Sequence, residues 1–149
     1  MRTDDVCTKE VVFVDRETTV RQAAQTMRER HVGDVVIVDS KVNPRKPVGI
    51  LTDRDIVLSV VAPAIDPSIF TVGDVMGARL LTVRSAEDAF ETVRQMRVRG
   101  VRRAPVVDDH GELCGVFSVD DFLGVMAQQF GEVAKLISRE QAREVATRV

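Results

Sequence analysis

The chain repeats itself. Val14-Asp15-Arg16-Glu17-Thr18-Thr19-Val20 is echoed by Val83-Arg84-Ser85-Ala86-Glu87-Asp88-Ala89, at an offset of 69 residues. At the same offset Asp5-Val6 meets Asp74-Val75, Met27 meets Met96, Val32 meets Val101, and Ile37-Val38-Asp39 meets Val106-Val107-Asp108. Downstream the offset shortens to 66, where Gly49-Ile50-Leu51-Thr52-Asp53-Arg54-Asp55 meets Gly115-Val116-Phe117-Ser118-Val119-Asp120-Asp121. The loop at residues 40–48 is therefore longer than its counterpart. Elements kept and one loop varied is the signature of a duplicated fold. A chain of 149 residues then reads as two small units sharing a core.

Each copy reads as strand, helix, strand, strand, helix. Residues 11–14 are a short β-branched apolar run. Thr18 or Thr19 then caps a helix whose apolar residues Val20, Ala23, Ala24 and Met27 share one face. The second copy supplies Ala89, Thr92, Val93 and Met96, with Phe90 adding bulk. Residues 35–38 are apolar throughout, as in a strand buried on both faces. A polar hairpin loop is expected at residues 41–47 and a returning strand at 48–51. The next helix starts near Thr52, with Ile56, Val57 and Val60 as its apolar residues. Residues 62–73, with Pro63 and Pro67, link the halves. After Phe122 an amphipathic tail carries Leu123, Met126, Phe130, Val133, Leu136 and Ile137 at helical spacing. Gly131 is expected to interrupt it, and residues 138–149 to fray.

Composition narrows the function. With 44% hydrophobic and 30% charged residues the chain is globular, and no apolar run is long enough to cross a membrane. Two acids near Met1, with no apolar stretch behind them, predict no secretory leader and a cytoplasmic protein. A formal net charge of -2 argues against nucleic acid as partner. Cys7, Cys114, His31 and His110 are not at metal-ligand spacing, so no metal is expected.

The sharpest constellation is Gly-h-h-Thr/Ser-x-x-Asp, where h is apolar. Thr52 and Asp55 form one pair, Ser118 and Asp121 the other. The plain reading is helix capping, although Asp closes a capping box less well than Glu. The functional reading is a ligand site, because the motif recurs where a strand gives way to a helix. A carboxylate there repels phosphate and accepts hydrogen bonds from a ribose cis-diol. Asp55 and Asp121 are thus sugar-binding candidates. Arg102, Arg103 and Arg54 are candidates for phosphate, against the alternative of a solvated basic face.

With that doubled motif the chain resembles the CBS-domain family, named after cystathionine β-synthase, over roughly residues 5–122. The resemblance implies an α/β (α+β) fold: two β-α-β-β-α CBS motifs packed with pseudo-twofold symmetry, here followed by a C-terminal helix. The first motif is expected at residues 5–66, the second at 67–128 and the tail at 129–149. The resemblance also implies a non-enzymatic regulatory module that holds an adenine nucleotide between its halves. AMP is the first choice; ATP, ADP, NAD and S-adenosylmethionine share the adenosine. Adenine would lie near Val12 and Leu81, with Cys7 and Met76 close by, and near His31 and Gly33 with their partners Gly100 and Arg102. Ribose would be held by Asp55 or Asp121 with Thr52 or Ser118, and phosphate by Arg102 and Arg103. A homodimer and an unidentified effector protein are the implied partners. One departure stands out. Gly33 and Asp34 occupy the positions of Arg102 and Arg103, so the two clefts should differ.

Three other readings compete. An enzyme would need a base or nucleophile beside an activating partner, and no histidine or cysteine here has one in sequence. A structural or protein-interaction module would use the four motif residues only as caps. DNA binding would use the arginines after residue 96, but Ala89, Val93 and Met96 form a core stripe more simply.

Overall fold

The computed structural model describes residues 1–148; Val149, the last residue of the expected tail, lies outside them. Two three-stranded sheets carry the fold, one per repeat. The first contains β1 (Phe13–Asp15), β2 (Asp34–Asp39) and β3 (Asn43–Thr52); β1 runs parallel to β2, and β2 antiparallel to β3. The second contains β4 (Val83–Arg84), β5 (Arg103–Val107) and β6 (Leu113–Ser118) in the same order and sense. β3 lies against β5 and β6, which joins the halves.

The helices follow from their caps and apolar faces. Before α2 (Val20–Arg30), Thr19 Oγ1 accepts from Gln22 N at 3.2 Å and Gln22 Oε1 accepts from Thr19 N at 3.0 Å, a closed capping box. Val20, Ala23 and Met27 are buried beneath it. Asp88 caps α5 (Ala89–Arg99) by accepting from Phe90 N and Glu91 N, and Ala89, Thr92 and Met96 face the core. α2 ends at His31 and α5 at Gly100, both left-handed, with φ of 54° and 67°. Glycine takes that conformation freely and histidine under strain.

Two short helices do what the linear repeat does not suggest. α1 (Thr3–Val6), ahead of the first repeat, docks on the second; α4 (Val72–Val75), ahead of the second, docks on the first. The hydrogen bonds correspond one for one. Thr3 N donates to Glu87 O, Asp4 N to Ser85 O, and Ala89 N to Met1 O. In the other half Val72 N donates to Thr18 O, Gly73 N to Arg16 O, and Val20 N to Phe70 O. Each half's core is thus completed by a segment from outside it. Val6 and Cys7 join Val83, Met96, Val106 and Phe117, while Val72 joins Val14, Ala23, Ile37 and Leu51.

Several boundaries differ from expectation. β1 begins at Phe13, which leaves Val11 and Val12 ahead of the sheet. The turn after β2 is tight, closed by Val42 N on Asp39 O, and β3 takes in Pro44 and Pro47 through register shifts. α3 (Asp53–Ile56) passes into a π-helical turn, Val57–Val61, and stops before Ala64, whose φ is 59°. α6 (Val119–Thr147) is one unbroken helix of 29 residues. Gly131 does not interrupt it, since a glycine costs a helix only about 1 kcal/mol. The charged end does not fray before Thr147, and Glu144 pairs with Arg148 there at 3.2 Å. Phe122, edge-on to Phe90, is the buried residue of α6. Leu123, Phe130, Val133, Leu136 and Ile137 are exposed.

Candidate functional site

Each repeat ends its last strand at the Thr or Ser of the motif, and the glycine of the motif has a steric cause. A Cβ on Gly49 would sit 2.6 Å from Met76 Sδ, and one on Gly115 would sit 2.7 Å from Cys7 Sγ. Both sulfurs come from the segments behind α4 and α1. Met76 and Cys7 therefore pack on the core side of the motif rather than lining the clefts.

The start of the following helix is fixed in the same way in both halves. Asp53 N donates to Gly33 O at 2.9 Å, and Val119 N donates to Arg102 O at 3.0 Å. The carboxylates differ in detail. Asp55 closes its box: its Oδ2 accepts from Thr52 N at 2.9 Å, and its N–H donates to Thr52 Oγ1 at 3.1 Å. Asp is thus long enough here. Asp121 N donates to Ser118 Oγ at 3.0 Å, while Asp121 Oδ2 accepts from Ser118 Oγ at 2.7 Å and from Thr8 Oγ1 at 3.3 Å. Among the described residues no hydrogen bond reaches Oδ1 of either aspartate, so capping occupies one oxygen and leaves one outward. Capping and ligand binding are compatible at the same side chain.

A cleft of about 270 Å³ opens at Asp121. The second repeat gives it Ser118, Asp121, Val116 and Arg103, and the first gives it Val12, His31, Gly33 and Asp34. Six expected site residues meet there: Ser118, Asp121, Arg103, Val12, His31 and Gly33. Arg103 Nε pairs with Asp34 Oδ2 at 3.0 Å across the halves. Gly33 lies beside this pair: a Cβ there would stand 3.5 Å from Arg103 Nη1, an ordinary contact. Burial pushes the Asp34 carboxyl up, against the pull of Arg103; Asp53 and Asp121 add to the rise.

A second cleft, also of about 270 Å³, opens at Asp55 between Ile50, Ser59, Val75, Gly77, Arg79 and Leu80. Its rim is built differently on one side. Thr8 and Val116 exchange backbone hydrogen bonds of 2.9 Å beside Asp121, and no matching bridge joins Gly77 to Ile50 among the described residues.

The remaining expected residues lie elsewhere. Thr52 caps α3 beside the Asp55 cleft. Arg54 is exposed on α3. Arg102 is exposed and donates to Asp120 Oδ1 at 2.9 Å. Leu81 packs on the second core and lines a groove along α5 with Glu91 and Arg94. Sequence reasoning missed Thr8, Glu10 and Arg79, which line the two clefts. They belong to no motif; the offset that pairs Asp5 with Asp74 also makes Glu10 and Arg79 counterparts, without marking either as a lining residue.

Among the described residues no group of three His, Cys, Asp or Glu side chains is placed to hold a metal ion, and no helix is long and apolar enough to cross a membrane.

Known proteins match this arrangement. The CBS domain family pattern matches residues 4–62 and 72–128. An uncharacterized protein of Methanopyrus kandleri, MK0525, is 36% identical over 121 residues, which cover 81% of this chain and 60% of that protein. The chain thus spans less than two thirds of that relative's length. Hypoxic response protein 1 of Mycobacterium tuberculosis is 32% identical over 119 residues, covering 78% of this chain and 79% of the relative. A crystal structure of Hypoxic Response Protein I with two coordinated zinc ions superposes with a TM-score of 0.71 at 30% identity, over 83% of this chain and 97% of the other. PAE2072 of Pyrobaculum aerophilum, complexed with AMP, superposes with a TM-score of 0.74 at 28% identity, over 81% of this chain and 89% of the other.

Proposed function

The chain belongs to the CBS-domain family, and we propose on that footing that it is a non-catalytic regulatory module of the cytoplasm that binds an adenine nucleotide, AMP first, in the clefts beside Asp55 and Asp121. One observation carries the reading. Asp121 stands at the helix start of one repeat with an outward oxygen, and Val12, His31 and Gly33 of the other repeat face it across the cleft. A ribose diol donates to the carboxylate while the base lies on Val12 and the backbone around Gly33. The AMP held by PAE2072 supports an adenosyl ligand for this chain.

Ligand bound there touches both repeats and favours one packing of the halves over another. The shift can be no larger than the ligand's differential affinity for the two packings. An effector protein reads it. A second copy of the chain joins through the helices and the exposed apolar stripe of α6. Light scattering tests that: the full chain runs as a dimer and residues 1–128 as a monomer, whereas a full-length monomer contradicts it.

Calorimetry with AMP, ADP, ATP, NAD and S-adenosylmethionine tests the ligand. Heat is expected with at least AMP. Silence from all five at millimolar concentration returns the motif residues to capping alone and favours a purely structural interaction module.

A further inference from the structure

The two clefts occupy equivalent places in the two repeats and differ in charge: acidic side chains predominate at Asp121, while a carboxylate and a guanidinium balance at Asp55. At the repeat offset, Glu10 of the Asp121 cleft corresponds to Arg79 of the Asp55 cleft. The same offset relates Asp34 to Arg103, and both of these reach the Asp121 cleft, where they pair with each other. Among the described residues the one guanidinium lining that cleft is thus already engaged, Asp120 is paired with Arg102, and Glu10 and Asp121 remain as carboxylates with no ion pair. The Asp55 cleft sets one carboxylate, Asp55, against Arg79, which makes no ion pair among the described residues. Gly77 stands where the other cleft has Thr8, and it leaves that cleft open on the Arg79 side.

A phosphate monoester carries up to two negative charges. Beside Glu10 and Asp121 it is repelled, and drawing Arg103 toward it would strand Asp34 half-buried beside other acids. Beside Arg79 it gains forked, charge-assisted hydrogen bonds.

We infer that the clefts are divided by charge. The Asp55 cleft takes a ribonucleoside phosphate with Arg79 on the phosphate, and the Asp121 cleft takes a ribonucleoside that carries no phosphate. This rests on the adenosine contacts of the reading above and narrows its phosphate part: the Asp121 cleft keeps the ribose and base contacts without phosphate, and the phosphate contact moves from Arg102 and Arg103 to Arg79. Arg103 instead holds the halves together through Asp34.

Calorimetry of the full chain with AMP and adenosine tests the division. The parent binds one AMP, and the AMP-saturated chain still binds one adenosine. Arg79→Gln lowers the ratio of AMP to adenosine affinity about tenfold or more, and Arg79→Lys recovers part of it. Glu10→Arg, which copies the counterpart, admits a second AMP. Arg79 and Glu10 are both exposed, so these chains fold, and their melting curves verify it. If Arg79→Gln keeps the parent ratio, or if the parent binds two AMP equally well, the division is wrong and the nucleotide reading stands. If the parent binds neither AMP nor adenosine at millimolar concentration, both fall together.

Discussion

Asp15, at the end of β1, gathers three donors. Its carboxylate accepts from Glu17 N and Ser40 N at 2.9 Å and from the Ser40 hydroxyl, tying β1 to the turn after β2. Those hydrogen bonds, that from the Ser40 side chain foremost, hold its pKa at about 2 against an ordinary 3.8. A carboxyl lowered in the folded state stabilises above its unfolded value and stops doing so as pH falls through the folded one. Asp15→Asn should therefore melt below the parent at neutral pH, and the gap should close between pH 3.8 and about 2. Thermal melts across that range check it; a gap that stays constant contradicts the role. Residues of this kind show the reach of sequence reading. Thr52 and Asp55 were legible as a helix cap, because the motif fixes their place at a strand end, and their proposed ligand role starts from that placement. Cys7 and Met76 were placed near the ligand by resemblance, whereas they pack on the motif glycines, a contact between segments that no spacing within one repeat encodes. The strained His31 stands where the second copy has Gly100, a difference visible in sequence without its backbone cause.

Among the elements, α1 and α4 are equivalent in position and differ in chemistry. Thr3 on α1 and Thr92 on α5 are fully buried and share a hydrogen bond of 2.8 Å. The corresponding pair in the other half, Val72 and Ala23, is fully buried and apolar. A hydroxyl stripped of its buried partner costs about 1–3 kcal/mol, while replacing both partners with apolar groups is nearly neutral. Thr92→Val should accordingly lower unfolding stability by about 1–3 kcal/mol. The double variant Thr3→Val/Thr92→Ala, which copies the first half, should recover most of it. Urea unfolding measures both, and a Thr92→Val chain as stable as the parent would show the hydrogen bond to be idle. The apolar periodicity of α2 and α5 and the unbroken apolar run of β2 made the elements readable. The crossing of α1 and α4 onto opposite repeats was not, because their short apolar contacts have no period to betray a partner. Gly131 misled for a related reason: a helix-breaking residue was weighed without the 29-residue helix around it.

For the whole molecule, duplication explains the two clefts and divergence explains their difference. The sheets share strand order and sense, and the exchanged helices repeat hydrogen bond by hydrogen bond. The cleft linings do not: Asp34 pairs with Arg103, and Glu10 faces a different cleft from Arg79. Asymmetry of the clefts was legible in Gly33 and Asp34, and the pairing of Asp34 across the halves emerged only from the packing. The central claim is that ribose sits on Asp55 and Asp121. It is tested most directly by titrating adenosine into the parent and into Asp55→Ala/Asp121→Ala, with melts to verify folding. Loss of charged hydrogen bonds should weaken binding by about 1–3 kcal/mol at each cleft. A double variant that binds adenosine as tightly as the parent would contradict the account.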